Sequence, residues 1–313
     1  MISIIIPCYN EEEVLHASYN RFVAVMEKYE YELLFINDGS KDKTGEILKE
    51  FASQNKNVKI ITFSRNFGHQ CAVSAGINNC SGDIAVIIDA DLQDPPELIP
   101  DMVSLYEKEK SNVIYAVRKQ RKGESFFKLS TASLFYKMLS TLSDVYIPRN
   151  TGDFRLIDRA IIDVYKQMPE RNKFIRGLVS WMGFKQIPFY YEREERFAGK
   201  TKYPIRKMFK LAANGIFGFS KKPIQLASTL GMISILISFV MIVWAIYLNI
   251  FHPERVIQGW TSTITIIFFM GGVQLFSVGI LGEYIGNIFD ETKKRPEYII
   301  EEKINFKEEV VIK

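Results

Sequence analysis

Asp89 and Asp91 stand two residues apart at the end of the apolar run Ile84-Ala85-Val86-Ile87-Ile88, and Gln93 follows two residues later. An unbroken apolar run of this kind reads as a buried parallel strand. Residues two apart in extended backbone point to the same side, so the run delivers two carboxylates together. Carboxylates that close repel each other, and a hard divalent cation relieves the repulsion. Mg²⁺ or Mn²⁺ takes oxygen ligands from one or two carboxylates and completes its shell with substrate phosphates. Gln93 adds a neutral oxygen. The spacing therefore points to a metal–diphosphate site at a strand's C-terminal edge, where open α/β sheets bind ligands. The competing reading is an acidic loop that merely closes a strand.

The strand carrying these residues is the fourth of a series. Ile2–Ile6 reads as a first strand, followed by a helix to about Tyr29. Glu32–Asn37 is a second, followed by a helix to Gln54. Val58–Phe63 is a third, followed by a helix over His69–Asn79, and Asp83–Ile88 is the fourth. This β-α alternation predicts a parallel sheet with right-handed crossovers. Each strand ends in a polar turn containing Gly or Pro, and all four turns fall on one edge of such a sheet. Beyond them, Pro100–Lys110 reads as a helix, Asn112–Val117 as a strand, and Arg118–Gly123 as a basic loop. Phe126–Leu142 has amphipathic helical spacing, Asn150–Arg159 reads as a polar turn entering a helix, Phe174–Phe184 as a helix and Lys185–Glu192 as a strand. The charged segment from Arg193 to Lys202, with Gly199, reads as mobile.

The last third changes character. No Asp, Glu, Lys or Arg occurs from Pro223 to Pro253, or again from Val256 to Gly282. A spanning helix needs about 20 apolar residues, so each stretch is long enough. Lys200, Lys202, Arg206, Lys207, Lys210, Lys221 and Lys222 crowd before the first stretch, and Lys293, Lys294 and Arg295 follow the second. Basic residues mark the cytosolic side, so the pattern predicts a hairpin in the cell membrane with both ends in the cytosol. The expected division is a cytosolic domain over 1–200, a basic interfacial segment over 201–222, two transmembrane helices over 223–251 and 257–284, and a cytosolic tail over 291–313.

A net charge of +4 over 313 residues is too small to argue for nucleic acid. Three cysteines without metal-ligand spacing argue against a disulfide framework or zinc cluster and for a reducing compartment. The chain opens directly on a strand and shows no secretory signal peptide.

Five motifs occur in order: Pro7-Cys8-Tyr9-Asn10-Glu11-Glu12, Asn37-Asp38-Gly39-Ser40-Lys41-Asp42, Ser64-Arg65-Asn66-Phe67-Gly68, Asp89-Ala90-Asp91-Leu92-Gln93-Asp94-Pro95-Pro96-Glu97 and Gly152-Asp153-Phe154-Arg155-Leu156. With them the chain resembles inverting family 2 glycosyltransferases of the GT-A fold, and within these the polyprenyl-phosphate glycosyltransferases. The resemblance covers nearly the whole chain, including Leu281-Gly282-Glu283-Tyr284-Ile285-Gly286. It implies an α/β fold, a Rossmann-like, mostly parallel GT-A domain followed by a two-helix transmembrane hairpin.

The resemblance also assigns roles. Pro7, Tyr9, Glu11 and Asp38 would meet the base and ribose of a sugar nucleotide, with Ser40, Arg65, Asp89 and Arg118 completing the donor site. Asp91 and Gln93 would hold Mg²⁺ or Mn²⁺. Asp153 takes the position of the catalytic carboxylate, with Asp89 and Asp91 beside it; a helix N-cap is the alternative for Asp153. A lipid monophosphate is already anionic near neutral pH and hardly needs a base. Arg196, Lys202, Arg155 and Arg121 would meet that phosphate, since Arg grips phosphate in a bidentate way and Lys acts as a point charge. His69 stands where some relatives carry Lys, with either a donor contact or a helix-start role.

The reading is therefore transfer of glucose or N-acetylglucosamine from a UDP-sugar to undecaprenyl phosphate, in a membrane-bound homo-oligomer. The alternatives are mannose or another sugar from a different nucleotide donor, and a non-catalytic protein that binds sugar nucleotide or lipid for a membrane partner. A processive polysaccharide synthase is disfavoured, because two spans do not build an export channel and the chain has no Gln-x-x-Arg-Trp segment.

Overall fold

The computed structural model describes residues 1–119, 148, 151–171, 173–192, 220–251 and 259–306. Its first half alternates β1 (Ile2–Cys8), α1 (Leu15–Met26), β2 (Tyr31–Asn37), α2 (Thr44–Gln54), β3 (Val58–Phe63), α3 (His69–Asn79) and β4 (Ile84–Ile87). Then come α4 (Ile99–Glu109), β5 (Val113–Arg118), β6 (Thr151–Asp158), α5 (Arg159–Gln167), α6 (Ile175–Trp181), β7 (Gln186–Tyr191), the long helices α7 (Lys222–Phe251) and α8 (Trp260–Thr292), and β8 (Ile300–Ile304). The eight strands among the described residues form one sheet in the order β7-β5-β6-β4-β1-β2-β3-β8.

Strand periodicity explains the layering. Ile4 and Ile6 of β1 face one core, shared with Phe22 of α1, Leu48 of α2 and Met102 of α4. Ile5, between them, faces the other core, with Ala75 of α3, Ile161 of α5 and Leu178 of α6. Both faces of the sheet are thus covered, as parallel strands rich in Ile and Val require. Helix α3 lies especially close to it: a Cβ at Gly76 would run into Ile5 Cγ2. That close seat fixes the N-terminal end of α3 over the sheet edge.

The parallel half, β3-β2-β1-β4, is as the sequence predicts. The whole sheet is mixed, with four of seven pairings parallel. The turn expected over Asn150–Arg159 is a correction: residues 151–158 form β6, inserted antiparallel between β4 and β5. Phe154, Leu156 and Ile157 are buried there, which outweighs the polar residues between them. Asp158, not Asp153, caps the following helix, its Oδ1 accepting from Ile161 N at 3.0 Å. Part of the expected tail is a second correction. Residues 300–304 pair antiparallel with β3 and close that side of the sheet. The amphipathic helix expected over Phe126–Leu142 lies outside the described residues.

Helices α7 and α8 are long and apolar enough to cross a membrane. Thirty residues of α7 span roughly 45 Å, more than a hydrocarbon core of about 30 Å. Met232, Phe268 and Leu275 are at least two-thirds exposed, a surface that water disfavours. Tyr284 on α8 donates to the carbonyl of Ser220 just before α7 at 2.6 Å, tying the base of the hairpin together.

Candidate active site

The C-terminal ends of β1, β2, β3 and β4 carry four loops to one edge. The first two loops are sewn together by side chains. Asn10, at φ +53°, donates its N–H to Ser40 Oγ at 3.0 Å, and its Oδ1 accepts from Lys41 N at 2.9 Å. Glu11 N donates to Thr44 Oγ1 at 2.9 Å. Asp38 joins the second loop to the third. Its Oδ1 accepts from Phe67 N at 2.7 Å, and its Oδ2 from Gly68 N and Asn66 Nδ2, both at 2.9 Å. Burial raises the Asp38 pKa above the usual carboxylate value, against the pull of those two backbone N–H groups. Asp38 thus shapes the edge. Gly39 permits the approach: its φ is +63°, and a Cβ there would lie 2.6 Å from Asn66 N. Pro7 is buried in β1, Tyr9 and Glu11 are half-buried on the first loop, and Arg65 is exposed with its guanidinium 4.0 Å over the Phe67 ring.

The fourth loop holds the acidic motif. Asp91 Oδ1 accepts from Gln93 N at 3.2 Å, and Leu92 between them sits at φ +58°. Asp91 and Gln93 are both partly exposed. Among the described residues no group of three His, Cys, Asp or Glu side chains is gathered for a metal. The donor set here is one carboxylate and an amide, with Asp89 adjacent. It fits a hard cation whose remaining ligands come from a diphosphate, rather than one caged by protein alone. Asp94 is buried and accepts from Tyr191 Oη, while Arg118 Nη2 lies 3.9 Å from Asp94 Oδ2 and Arg118 Nε donates to Tyr191 Oη at 3.3 Å. This triad ties the acidic loop to β5 and β7.

Antiparallel β6 enters from the same edge. Its register pairs Arg155 with Ile87, so continuing two positions sets Asp153 across from Asp89. His69, first residue of α3, stands between them. Its Nε2 is 3.0 Å from Asp153 Oδ2 and 3.8 Å from Asp89 Oδ1. Arg176 Nε donates to Asp153 Oδ1 at 2.7 Å, and Arg176 Nη1 donates to Thr151 O at 2.9 Å. Gln70 Nε2 reaches Asp153 Oδ2 at 3.5 Å. Burial alone would raise Asp153, but Arg176 and His69 hold its carboxyl well below the usual range. Burial, with Asp91, Asp94 and Asp153 nearby, pushes Asp89 up to about 6 against the pull of His69. His69, whose burial would lower it, is carried up to about 9 by Asp89 and Asp153. The edge thus presents one firmly ionised carboxylate, one titratable near neutrality, and a cationic imidazole between them.

Sequence reasoning brought Asp89, Asp91, Gln93, Asp153 and Arg118 to one place. Arg155 is 4% exposed, and its donors meet the carbonyls of Gly152 and Asp153. Burial lowers its pKa to about 10. Arg121, Arg196 and Lys202 lie outside the described residues. Arg176, Gln70, Asp94 and Tyr191 were missed. Arg176 belongs to a helix whose sequence carries no motif, and only its distance to Asp153 identifies it.

Residues 3–166 match the family described as Glycosyl transferase family 2, and residues 222–288 match the GtrB C-terminal hairpin. An uncharacterized glycosyltransferase, YkcC of Bacillus subtilis, is 52% identical over 96% of this chain and 93% of its own length. A prophage bactoprenol glucosyl transferase homolog of Escherichia coli is 40% identical over 96% of this chain and 98% of its own. The bactoprenol glucosyl transferase of Shigella phage SfV is 40% identical over 96% and 97%. Among solved structures, S. aureus TarS 1–349 in complex with UDP-GlcNAc aligns at TM-score 0.44 and 15% identity, over 70% of this chain and 67% of that one.

Proposed function

The chain belongs to glycosyl transferase family 2, and from that premise we propose that it moves a sugar from a nucleoside diphosphate to a polyprenyl phosphate, with inversion at the anomeric carbon. The relatives named bactoprenol glucosyl transferase favour glucose as the sugar and undecaprenyl phosphate as the acceptor. UDP-glucose is the expected donor, with UDP-N-acetylglucosamine next. The observation that carries the reading is the convergence of Asp89 and Asp153, from different strands, on His69 beside the Asp91–Gln93 turn.

In this reading Pro7, Tyr9, Glu11, Asp38, Ser40, Arg65 and Asp89 line the nucleotide side, and Asp38 also holds their loops in place. Asp91 and Gln93 would hold Mg²⁺ or Mn²⁺, which when bound neutralises charge on the departing diphosphate. Arg118, fixed by Tyr191 and Asp94, adds a cation on that side. A lipid phosphate oxygen is the nucleophile, and its bond to the anomeric carbon forms as the bond to the nucleoside diphosphate breaks. Asp153, kept ionised by Arg176, serves to orient rather than to take a proton, because the nucleophile is already anionic. Arg121, Arg196 and Lys202 are proposed to receive the lipid phosphate at the membrane surface. The hairpin would place the domain and both ends in the cytosol, with copies associating as a homo-oligomer.

The test is transfer from a panel of labelled nucleotide sugars to undecaprenyl phosphate by the full-length protein, with Mn²⁺, with Mg²⁺ and with EDTA. Glycolipid from one donor, dependent on metal, is expected. A folded protein that binds nucleotide yet forms no glycolipid from any donor would replace the enzyme reading with a binding protein.

A further inference from the structure

The segment that holds Asp153 also holds the exit of the hairpin. Within six positions, Arg171 and Lys173 reach the chain leaving α8, while Ile175 and Arg176 reach the reaction centre. Arg171 N donates to Glu291 Oε1 at 2.9 Å, and its guanidinium donates to the carbonyls of Asp290 at 2.8 Å and Pro296 at 3.4 Å. Lys173 Nζ lies 3.6 Å from Glu297 Oε2 and 4.4 Å over the Tyr165 ring. Both side chains of that ion pair are largely buried, at 7% and 13% exposed. Two residues on, Ile175 N donates to Gln70 Oε1 at 3.1 Å, and Arg176 grips Asp153.

Helix α3 makes the same connection along one face. Gln70, Ser74 and Asn78 recur at four-residue spacing, which stacks them on one side of a helix. Gln70 meets Asp153, Ser74 Oγ donates to Glu297 Oε2 at 2.9 Å, and Asn78 Nδ2 donates to Tyr298 Oη at 3.2 Å. Two lines of contact, joined at Glu297 and at Gln70, therefore run from the hairpin's exit to one carboxylate.

We infer that this clasp is a positioning device for the transfer: the grip of Arg171 and Lys173 on residues 290–297 sets where Arg176, and through it Asp153, stands. The inference rests on the proposed glycosyl transfer for its kinetic readout. Groups that must be held to a fraction of an ångström lose rate when their support slackens, even when the supporting residue never meets substrate.

The experiment uses the full-length protein in phospholipid vesicles, with UDP-glucose and undecaprenyl phosphate. Arg171→Ala and Lys173→Met are expected to lower kcat roughly tenfold with the KM for UDP-glucose nearly unchanged, and Arg171→Lys to restore most of the loss. In an Arg176→Lys background the Arg171→Ala effect should largely vanish, because both act on one carboxylate. An equal effect in both backgrounds, or an unchanged kcat, would overturn the inference. Amide hydrogen exchange supplies a readout independent of turnover. Peptides covering 173–182 should exchange faster in Arg171→Ala, while those of β1 and α1 keep wild-type rates. Unchanged exchange at 173–182 would equally overturn it. Wild-type protein that transfers no sugar would count against the proposed function alone, and the exchange result would still decide the clasp.

Discussion

His69 Nε2 sits 3.0 Å from Asp153 Oδ2, so the first residue of α3 is bonded to a strand eighty-four positions away. Against burial, which lowers it, and Arg176, Asp89 and Asp153 raise the imidazole to about 9. A histidine raised above its free value of 6.5 contributes stability that is fully present below pH 6.5. That contribution is lost as pH rises through 9. In metal-free protein, the thermal midpoint of wild type should exceed that of His69→Gln most at pH 6, and the gap should shrink by pH 9. A gap that widens with pH would show that the imidazole is neutral in the fold.

Asp91→Asn removes one charge from the acidic turn while keeping its shape. Charge stabilisation by a bound cation is worth several kcal/mol, and each 1.4 kcal/mol is tenfold in rate, so transfer should fall by about 100-fold or more. The nucleotide's own affinity in EDTA should barely change. Full activity in the variant would move the metal site elsewhere.

Tyr191→Phe deletes the hydroxyl that donates to buried Asp94 and accepts from Arg118. Leaving a buried acceptor without its donor costs about 1–3 kcal/mol. A lowered thermal midpoint is expected, together with weaker UDP binding as Arg118 loses its brace. Calorimetric titration with UDP measures the second effect.

Gly39→Ala places a methyl group against the backbone of Arg65 and Asn66 at a positive φ. The strained backbone alone costs about 1–3 kcal/mol. The loops after β2 and β3 must separate, so the variant should be less stable and bind UDP more weakly. Asn66→Ala, which removes a donor to Asp38 without forcing the loops apart, should be milder in both respects.

The parallel half of the fold was legible because each strand is a nearly continuous apolar run closed by turn residues, as in Ile2–Ile6 before Pro7. Strand β6 was not. Gly152, Asp153 and Arg155 interrupt its apolar pattern. Edge strand β8, Ile300-Glu301-Glu302-Lys303-Ile304, alternates in burial but not in residue type, since Glu302 shares a side with Ile300 and Ile304; short and charged, it passes for a tail. Such charge is how sheet edges avoid pairing with other chains. The acidic turn could be read from its spacing, whereas Arg176 and Gln70 owe their place to packing between helices far apart in sequence.

The order of strands has a consequence for how the protein is made. Strand β8 covers the β3 edge, yet it follows both apolar helices in the chain. A ribosome therefore releases α7 and α8 before it releases the strand that seals the sheet. During that interval β3 offers unpaired backbone groups, and the nascent domain stands open on one side. The last strand docks only after the apolar helices have been made, so completion of the sheet reports that synthesis has passed the hairpin.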